Sequence, residues 1–263
     1  MKKLILVLAM LSILLISGCD TQQEDMVEEV PEEIIDTSIM ESEYSNYAIY
    51  GLLSKGTEYE TEVYYSNTTK GSSRILIIGG THGNEEAGFL AAEAFLKKPP
   101  PLGEIMVIPR ANIQAIKTQS RTSDNRIDLN RSYPGSQDGN VIEQLAHEIF
   151  ELIQVFDPHV VIDLHESIDY HTNGRLGNSI IISAEGEHLI KALDLIDYIN
   201  HVETEDVPFT FFGDPPVSSL NETVTRYLGI PVFTTETCRM NPIEIRVRQQ
   251  LLMIDKLIEL YGN

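Results

Sequence analysis

Basic residues are scarce: in 263 residues, 19 Lys and Arg face 40 Asp and Glu, for a net charge of −21 at pH 7. Binding nucleic acid needs a cationic face that releases counterions from phosphates, so nucleic acid is excluded as a partner. An anionic membrane surface is disfavoured on the same ground. Cysteine is nearly absent too. Cys19 and Cys238 are the only two, too few for a disulfide scaffold or for a metal site built from cysteine alone. No internal repeat is evident, and the length allows one large α/β domain or two small ones.

What is present begins with an address. Lys2 and Lys3 precede an apolar run from Leu4 to Ile16, short for a bilayer span and of signal-peptide length. It ends in Ile16-Ser17-Gly18-Cys19, which resembles a bacterial lipobox, where cleavage precedes a cysteine that becomes lipidated. The alternative is an uncleaved N-terminal anchor. Either way the chain is expected outside the cytoplasm, tied to a membrane, and stable anchoring needs at least two acyl chains. Residues 20 to 45 then carry ten acids and no Lys or Arg. Such a segment repels itself and buries little, so a solvated tether is expected. Without those ten acids, Lys2 and Lys3, there remain 30 acids against 17 bases, so acidity is not confined to the tether. The expected division is a signal peptide over 1–18, lipidated Cys19 and tether over 19–45, and a hydrolase domain over 46–263.

From residue 46 onward strands alternate with helices, the pattern of a layered α/β domain. Thr57 to Ser66 predicts an edge strand or hairpin, and Arg74 to Gly79 a strand covered on both faces. A helix over Glu85–Lys97, a strand over Glu104–Pro109, a helical stripe from Val141 to Phe156 and a buried strand over His159–Leu164 follow. Later strands are expected at Ser179–Ser183 and Pro231–Thr235, with a helix near Glu187–Asn200. The last helix is predicted to start with Asn241 as N-cap, Pro242 at its first position and Glu244 closing a capping box. Its core face is expected to be Ile243, Val247, Leu251, Ile254 and Ile258.

Three loops at carboxyl ends of strands, where sites form in such sheets, carry unusual chemistry. In Gly79-Gly80-Thr81-His82-Gly83-Asn84-Glu85-Glu86, His82 and Glu85 sit three apart at a helix start and can share a cation. In Asp163-Leu164-His165-Glu166, ionised groups next to a dry core must be paired or liganded. His165 would complete a His, Glu, His set of the kind that forms an open zinc site with water in the fourth position. The third stretch holds Arg121, Arg126, Asp128, Leu129, Asn130 and Arg131, then Ser132-Tyr133-Pro134-Gly135. Guanidinium groups beside an Asn suit planar recognition of a carboxylate.

Together HGNEEAG, DLNRSYPG and DLHES resemble the succinylglutamate desuccinylase/aspartoacylase family, itself related to the zinc carboxypeptidases, over roughly residues 74 to 250. The resemblance implies a single α/β domain whose mixed, mostly parallel sheet has helices on both faces. It also implies one Zn²⁺ per chain on His82, Glu85 and His165, with Asp128 fixing the tautomer of His82. Asn130 and Arg131 would hold a substrate carboxylate. Arg121, nine residues before Asn130, is preferred to Arg126 as the carbonyl-polarising group. Glu236, ending the late apolar strand, is the expected general base. Glu166 is its rival, but as neighbour of a ligand on an extended strand it should face the opposite way.

The implied activity is hydrolysis of an amide in a small carboxylate-bearing substrate, of the N-acyl amino acid deacylase type. A metallocarboxypeptidase acting on peptides or cell-wall fragments is the alternative, and a lipoprotein that only binds acidic ligands is a third. His147, His159, His188 and His201 read as surface or structural, and His171 as a pocket-lining candidate. Cys238 reads as a small buried residue. The Gly213-Asp214-Pro215-Pro216 turn is expected to border the site.

Overall fold

The computed structural model describes residues 42–68, 73–123, 125–169, 176–183, 185–203 and 207–262. The leader, Cys19, most of the acidic stretch and His171 lie outside the described residues. Among these residues the strands are β1 (Ala48–Leu53), β2 (Thr61–Thr68), β3 (Arg74–Ile78), β4 (Gly103–Ile108), β5 (Val160–Ser167), β6 (Ser179–Ile181), β7 (Thr210–Phe212) and β8 (Val232–Cys238). The helices are α1 (Glu86–Leu96), α2 (Ile113–Lys117), α3 (Val141–Phe156), α4 (Glu187–Val202), α5 (Leu220–Leu228) and α6 (Ile243–Tyr261).

All eight strands join one sheet in the order β1-β2-β4-β3-β5-β8-β6-β7. The central four, β4, β3, β5 and β8, run parallel. The β1–β2 hairpin adds antiparallel at one edge, while β6 pairs antiparallel with β8 and parallel with β7 at the other. Alternation along β3 divides the core. Ile75 and Ile77 pack with α1, α4 and α6 on one face, and Leu76 and Ile78 pack with α3 and α5 on the other. The fold is thus the expected mixed α/β sheet with helices on both faces. Among the described residues no helix is long and apolar enough to cross a membrane.

Several local expectations shift. Tyr44 is buried and stands edge-to-face on Tyr64 with ring centroids 4.9 Å apart, so core packing begins ahead of residue 46. The Thr57–Ser66 prediction resolves into the second strand of a hairpin. Both site-bearing strands outrun their apolar stretches, because β5 and β8 stay paired through Ser167 and Cys238. The DLHES motif, residues 163–167, therefore lies wholly within β5, with the side chains of Asp163, His165 and Glu166 held by partners described below.

Short β7 and the helix α5 carry no apolar run that announces them. For α5 the available signal is a cap: Ser219 accepts from Glu222 N, and Gly229 closes the helix with φ +68°. Likewise Asn140 and Glu143 form a capping box on α3.

At α6 the expected cap is displaced. Pro242 itself occupies the N-cap, and no side-chain cap bond forms. The buried face also rotates, to Gln249, Gln250, Met253, Ile254 and Leu257, with Val247, Leu251 and Ile258 only partly buried. A hydropathy stripe misses this because Gln250 is buried for its hydrogen bonds. Its Nε2 donates to His165 O at 2.8 Å and Thr235 O at 3.2 Å, and its Oε1 accepts from Thr235 Oγ1 at 2.5 Å.

Replacing Gln250 with Leu leaves those groups dry and unpartnered. Denaturant unfolding of Gln250→Leu should show a loss of about 2–4 kcal/mol, at roughly 1–3 per stranded group.

Candidate metal centre

The turn after β3 is shaped by close backbone approaches. Gly79 N donates to Ile108 O, and Ala111 N and Asn112 N return to Gly79 O and Gly80 O. A Cβ at Gly83 would stand 1.8 Å from Ala115 O, so only glycine lets the turn lie against α2. His82 and Glu85 leave this turn at the start of α1, both buried. A Cβ at Gly88 would come within 2.5 Å of Leu164 O. That missing atom lets α1 settle onto β5, where Glu85 reaches His165.

Glu85 bridges the two imidazoles. Its Oε1 is 2.9 Å from His82 Nδ1, its Oε2 is 2.8 Å from His165 Nδ1, and the ring centroids are 4.9 Å apart. One ligand atom from each of the three residues lies within 4.8 Å of the others.

The outer ring nitrogens are held by carboxylates. His82 Nε2 faces Asp128 Oδ1 at 2.9 Å, and His165 Nε2 faces Asp163 Oδ2 at 3.0 Å. A neutral ring that donates Nε2–H outward would carry its lone pair on Nδ1, pointing inward, the arrangement of a ligating histidine. Two such imidazoles and one carboxylate fit zinc and leave room for water in a fourth position.

Burial would lower both imidazole pKa values, but the carboxylates of Glu85, Asp128 and Asp163 prevail and raise them. Burial likewise opposes ionisation of Glu85, yet His82 and His165 hold it well below the usual carboxylate range. Asp128 is also depressed, through His82 and Arg121 and against its burial. The potential that raises the imidazoles is the one that attracts a divalent cation.

The other residues singled out from the sequence stand as follows relative to this triangle. Asp128 Oδ1 also accepts from Asn130 N at 2.9 Å, capping the turn Leu129–Arg131. Its Oδ2 pairs with Arg121 Nη2 at 2.9 Å, and Arg121 Nη1 reaches Glu85 Oε1 at 3.5 Å. Arg126 is exposed and makes no such contact. Asn130 Oδ1 accepts from Leu220 N at 2.9 Å, and its Nδ2 stands 3.4 Å from His165 Nε2. Arg131 is exposed, and its Nη1 donates to Asn130 O. Among the described residues it has no carboxylate partner.

Glu236 is the register partner of His165 on the adjacent parallel strand, so both side chains share one face of the sheet. It is buried, and burial, with Glu85 and Asp163 adding to it against His165 and His82, pushes its pKa up to about 7. Among the described residues no hydrogen bond or ion pair holds its carboxylate. Glu166 points the other way, to Ala87 N and Arg246. Burial pushes the Cys238 thiol up, unlike an activated nucleophile.

The sequence reading missed Asp163 as the partner of His165. The spacing carried the signal, since residues two apart on a strand face the same way.

Comparisons with known proteins bear on the family and the fold. The family model for the succinylglutamate desuccinylase/aspartoacylase catalytic domain matches residues 72–257. The N-alpha-acetyl-L-2,4-diaminobutyric acid deacetylase of Halomonas elongata is 36% identical over 94 residues, 34% of this chain and 27% of that protein. The aspartoacylase of Danio rerio is 27% identical over 137 residues, 49% of this chain and 42% of that one. The chain thus spans less than half the length of these curated relatives. Among solved structures, mDAP-bound Csd4 of Helicobacter pylori, a D,L-carboxypeptidase, shares the fold with a TM-score of 0.67 at 20% identity, covering 75% of this chain and 54% of that one.

Asp163 gives the first test. Asp163→Asn should weaken zinc binding by about 10- to 100-fold while the wild type takes up one ion per chain, read by competition with a chromophoric chelator.

Proposed function

We propose that this chain, which belongs to the succinylglutamate desuccinylase/aspartoacylase family, is a zinc-dependent hydrolase of an amide bond in a carboxylate-bearing substrate, of the N-acyl amino acid deacylase type. The observation that supports it most is the triangle of His82, Glu85 and His165 with Glu236 in register beside it. Zinc bound there supplies a Lewis acid that makes water more acidic and polarises a carbonyl.

The chain's own groups then divide the work. Glu236, with its pKa near 7, is matched to accept a proton from the attacking water and return it to the departing amine. Its lack of a fixed partner leaves it free to move that proton. Arg121, paired to Asp128 yet 46% exposed, offers N–H groups to the oxygen that gains charge. Arg131, with no acid of its own, orients the substrate by its carboxylate. Asn130, its oxygen anchored by Leu220 N, offers its Nδ2 to the same carboxylate.

A carboxypeptidase-like reading draws on the fold shared with Csd4 and uses the same arginine for a C-terminal carboxylate. A non-catalytic lipoprotein leaves the buried and unpaired Glu236 without a task. We also propose an extracytoplasmic location through lipidated Cys19, on the strength of the run ending in Ile16-Ser17-Gly18-Cys19.

Glu236→Gln should retain zinc and lose about 10²- to 10⁴-fold in rate, and unchanged turnover would remove the general-base assignment. Under the same conditions Arg131→Ala should raise KM as well as lower kcat, because positioning is lost. A panel of N-acyl amino acids beside peptides with free C-termini decides between the two hydrolase readings. Labelled fatty acid should enter the wild type in a bacterial host and be lost in Cys19→Ser.

A further inference from the structure

The first N–H groups of a helix need acceptors, and the N-cap side chain ordinarily supplies one. At α1 it does not. Glu85 occupies the N-cap but makes no capping bond, because both of its oxygens are turned to the imidazoles.

Its place is taken from another element. Glu166, on the face of β5 opposite His165, accepts from Ala87 N, the second residue of α1, at 3.0 Å. In return the Glu166 N–H donates to Glu85 Oε2 at 3.0 Å. One strand residue therefore holds the helix start by its side chain and the ligand carboxylate by its backbone.

The Glu166 side chain is 0% exposed, so its charge needs a partner. Arg246, reaching in from α6 and 12% exposed, pairs with Oε1, which Thr237 Oγ1 also approaches at 3.4 Å. Arg246 Nε is buried with no hydrogen-bond partner, so the arginine's polar contact is this carboxylate. The pair stands behind Glu85 as Asp128 and Asp163 stand behind the two histidines.

We propose that Glu166 and Arg246 are a positioning pair which caps α1 from outside the helix and thereby sets the carboxylate of Glu85 for the metal. The proposal rests on the reading of His82, Glu85 and His165 as ligands. A pair that merely fastens α6 to the sheet would affect stability and leave metal affinity alone.

The experiment compares zinc dissociation constants, by chelator competition, with thermal midpoints for the full chain and its variants. Glu166→Ala should bind zinc about 10- to 100-fold more weakly and expose the Ala87 amide to faster hydrogen exchange. Glu166→Gln keeps an acceptor for Ala87 N–H but strands the arginine, so its loss should be smaller. The double variant E166Q/R246M removes the stranded charge and should recover affinity relative to E166Q alone.

If Glu166→Ala and Glu166→Gln both bind zinc within about twofold of wild type, the proposal is overturned whatever their midpoints do. Should Glu166→Ala fail to fold, Glu166→Gln decides by the same criterion. A wild type that takes up no zinc removes the metal reading itself, an outcome distinct from variants that match a zinc-binding wild type.

Discussion

The carboxylate of Glu85, suspended between two imidazoles by contacts of 2.9 and 2.8 Å, is the constraint on which the centre of the molecule depends. A group at the start of a helix can meet a side chain on a strand only if helix and strand lie unusually close. Gly88 permits this, since a Cβ there would fall 2.5 Å from Leu164 O. With both oxygens of the N-cap side chain turned to the imidazoles, the helix start lacks a cap of its own, and an acid from the strand beneath makes good that loss.

Charge is arranged on the same logic. The protein is strongly acidic, yet its arginines are not spread at random among acids. Arg74, Arg110, Arg121, Arg226, Arg246 and Arg248 each have a carboxylate partner. Among the described residues, Arg126, Arg131 and Arg239 have none, and all three follow stretches that bear site residues. Arg239 instead donates to Asn84 O at 2.9 Å, bracing the backbone beside Glu85. Of the arginines without a carboxylate partner, Arg131 and Arg239 thus stand within three residues of Asp128 and Glu236, and their charge offsets part of the self-repulsion of the acids there.

The fold and the ligand triangle were legible in the sequence because both depend on local pattern. Apolar runs announce covered strands, and HGNE or DLHES places ligands at fixed offsets on a turn and a strand. What stayed hidden depends on contacts between distant segments. Gln250 lies outside the apolar stripe of its helix, and its burial is accounted for only by its bonds to His165 O and Thr235 O. The anchoring of the Asn130 oxygen by Leu220 N, 90 residues away in the chain, is of the same kind. The ends of β5 and β8 were placed early because charged residues look like loop, whereas in β5 the side chains of Asp163, His165 and Glu166 each have a partner that makes burial tolerable.

Strand parity explains how so many polar groups coexist in one sheet. Along β5, Asp163 and His165 face the α3 and α5 side with Val161, while Leu164 and Glu166 face α1 and α6. Along β8, Glu236 shares the first side, and Thr235 and Thr237 meet Gln250 on the second. His165 and Glu236 therefore occupy one face together with Asp163, and Glu166 and Gln250, which brace the strands from behind, occupy the other, separated by the thickness of a single backbone. A slip of one residue in the β5–β8 register would exchange the two sets, placing Glu236 against α6 and Thr235 beside His165. The parallel pairing from Val161–Val232 to Ser167–Cys238 is long enough to exclude that slip, which is why the polar continuation of both strands matters as much to the site as the ligands themselves.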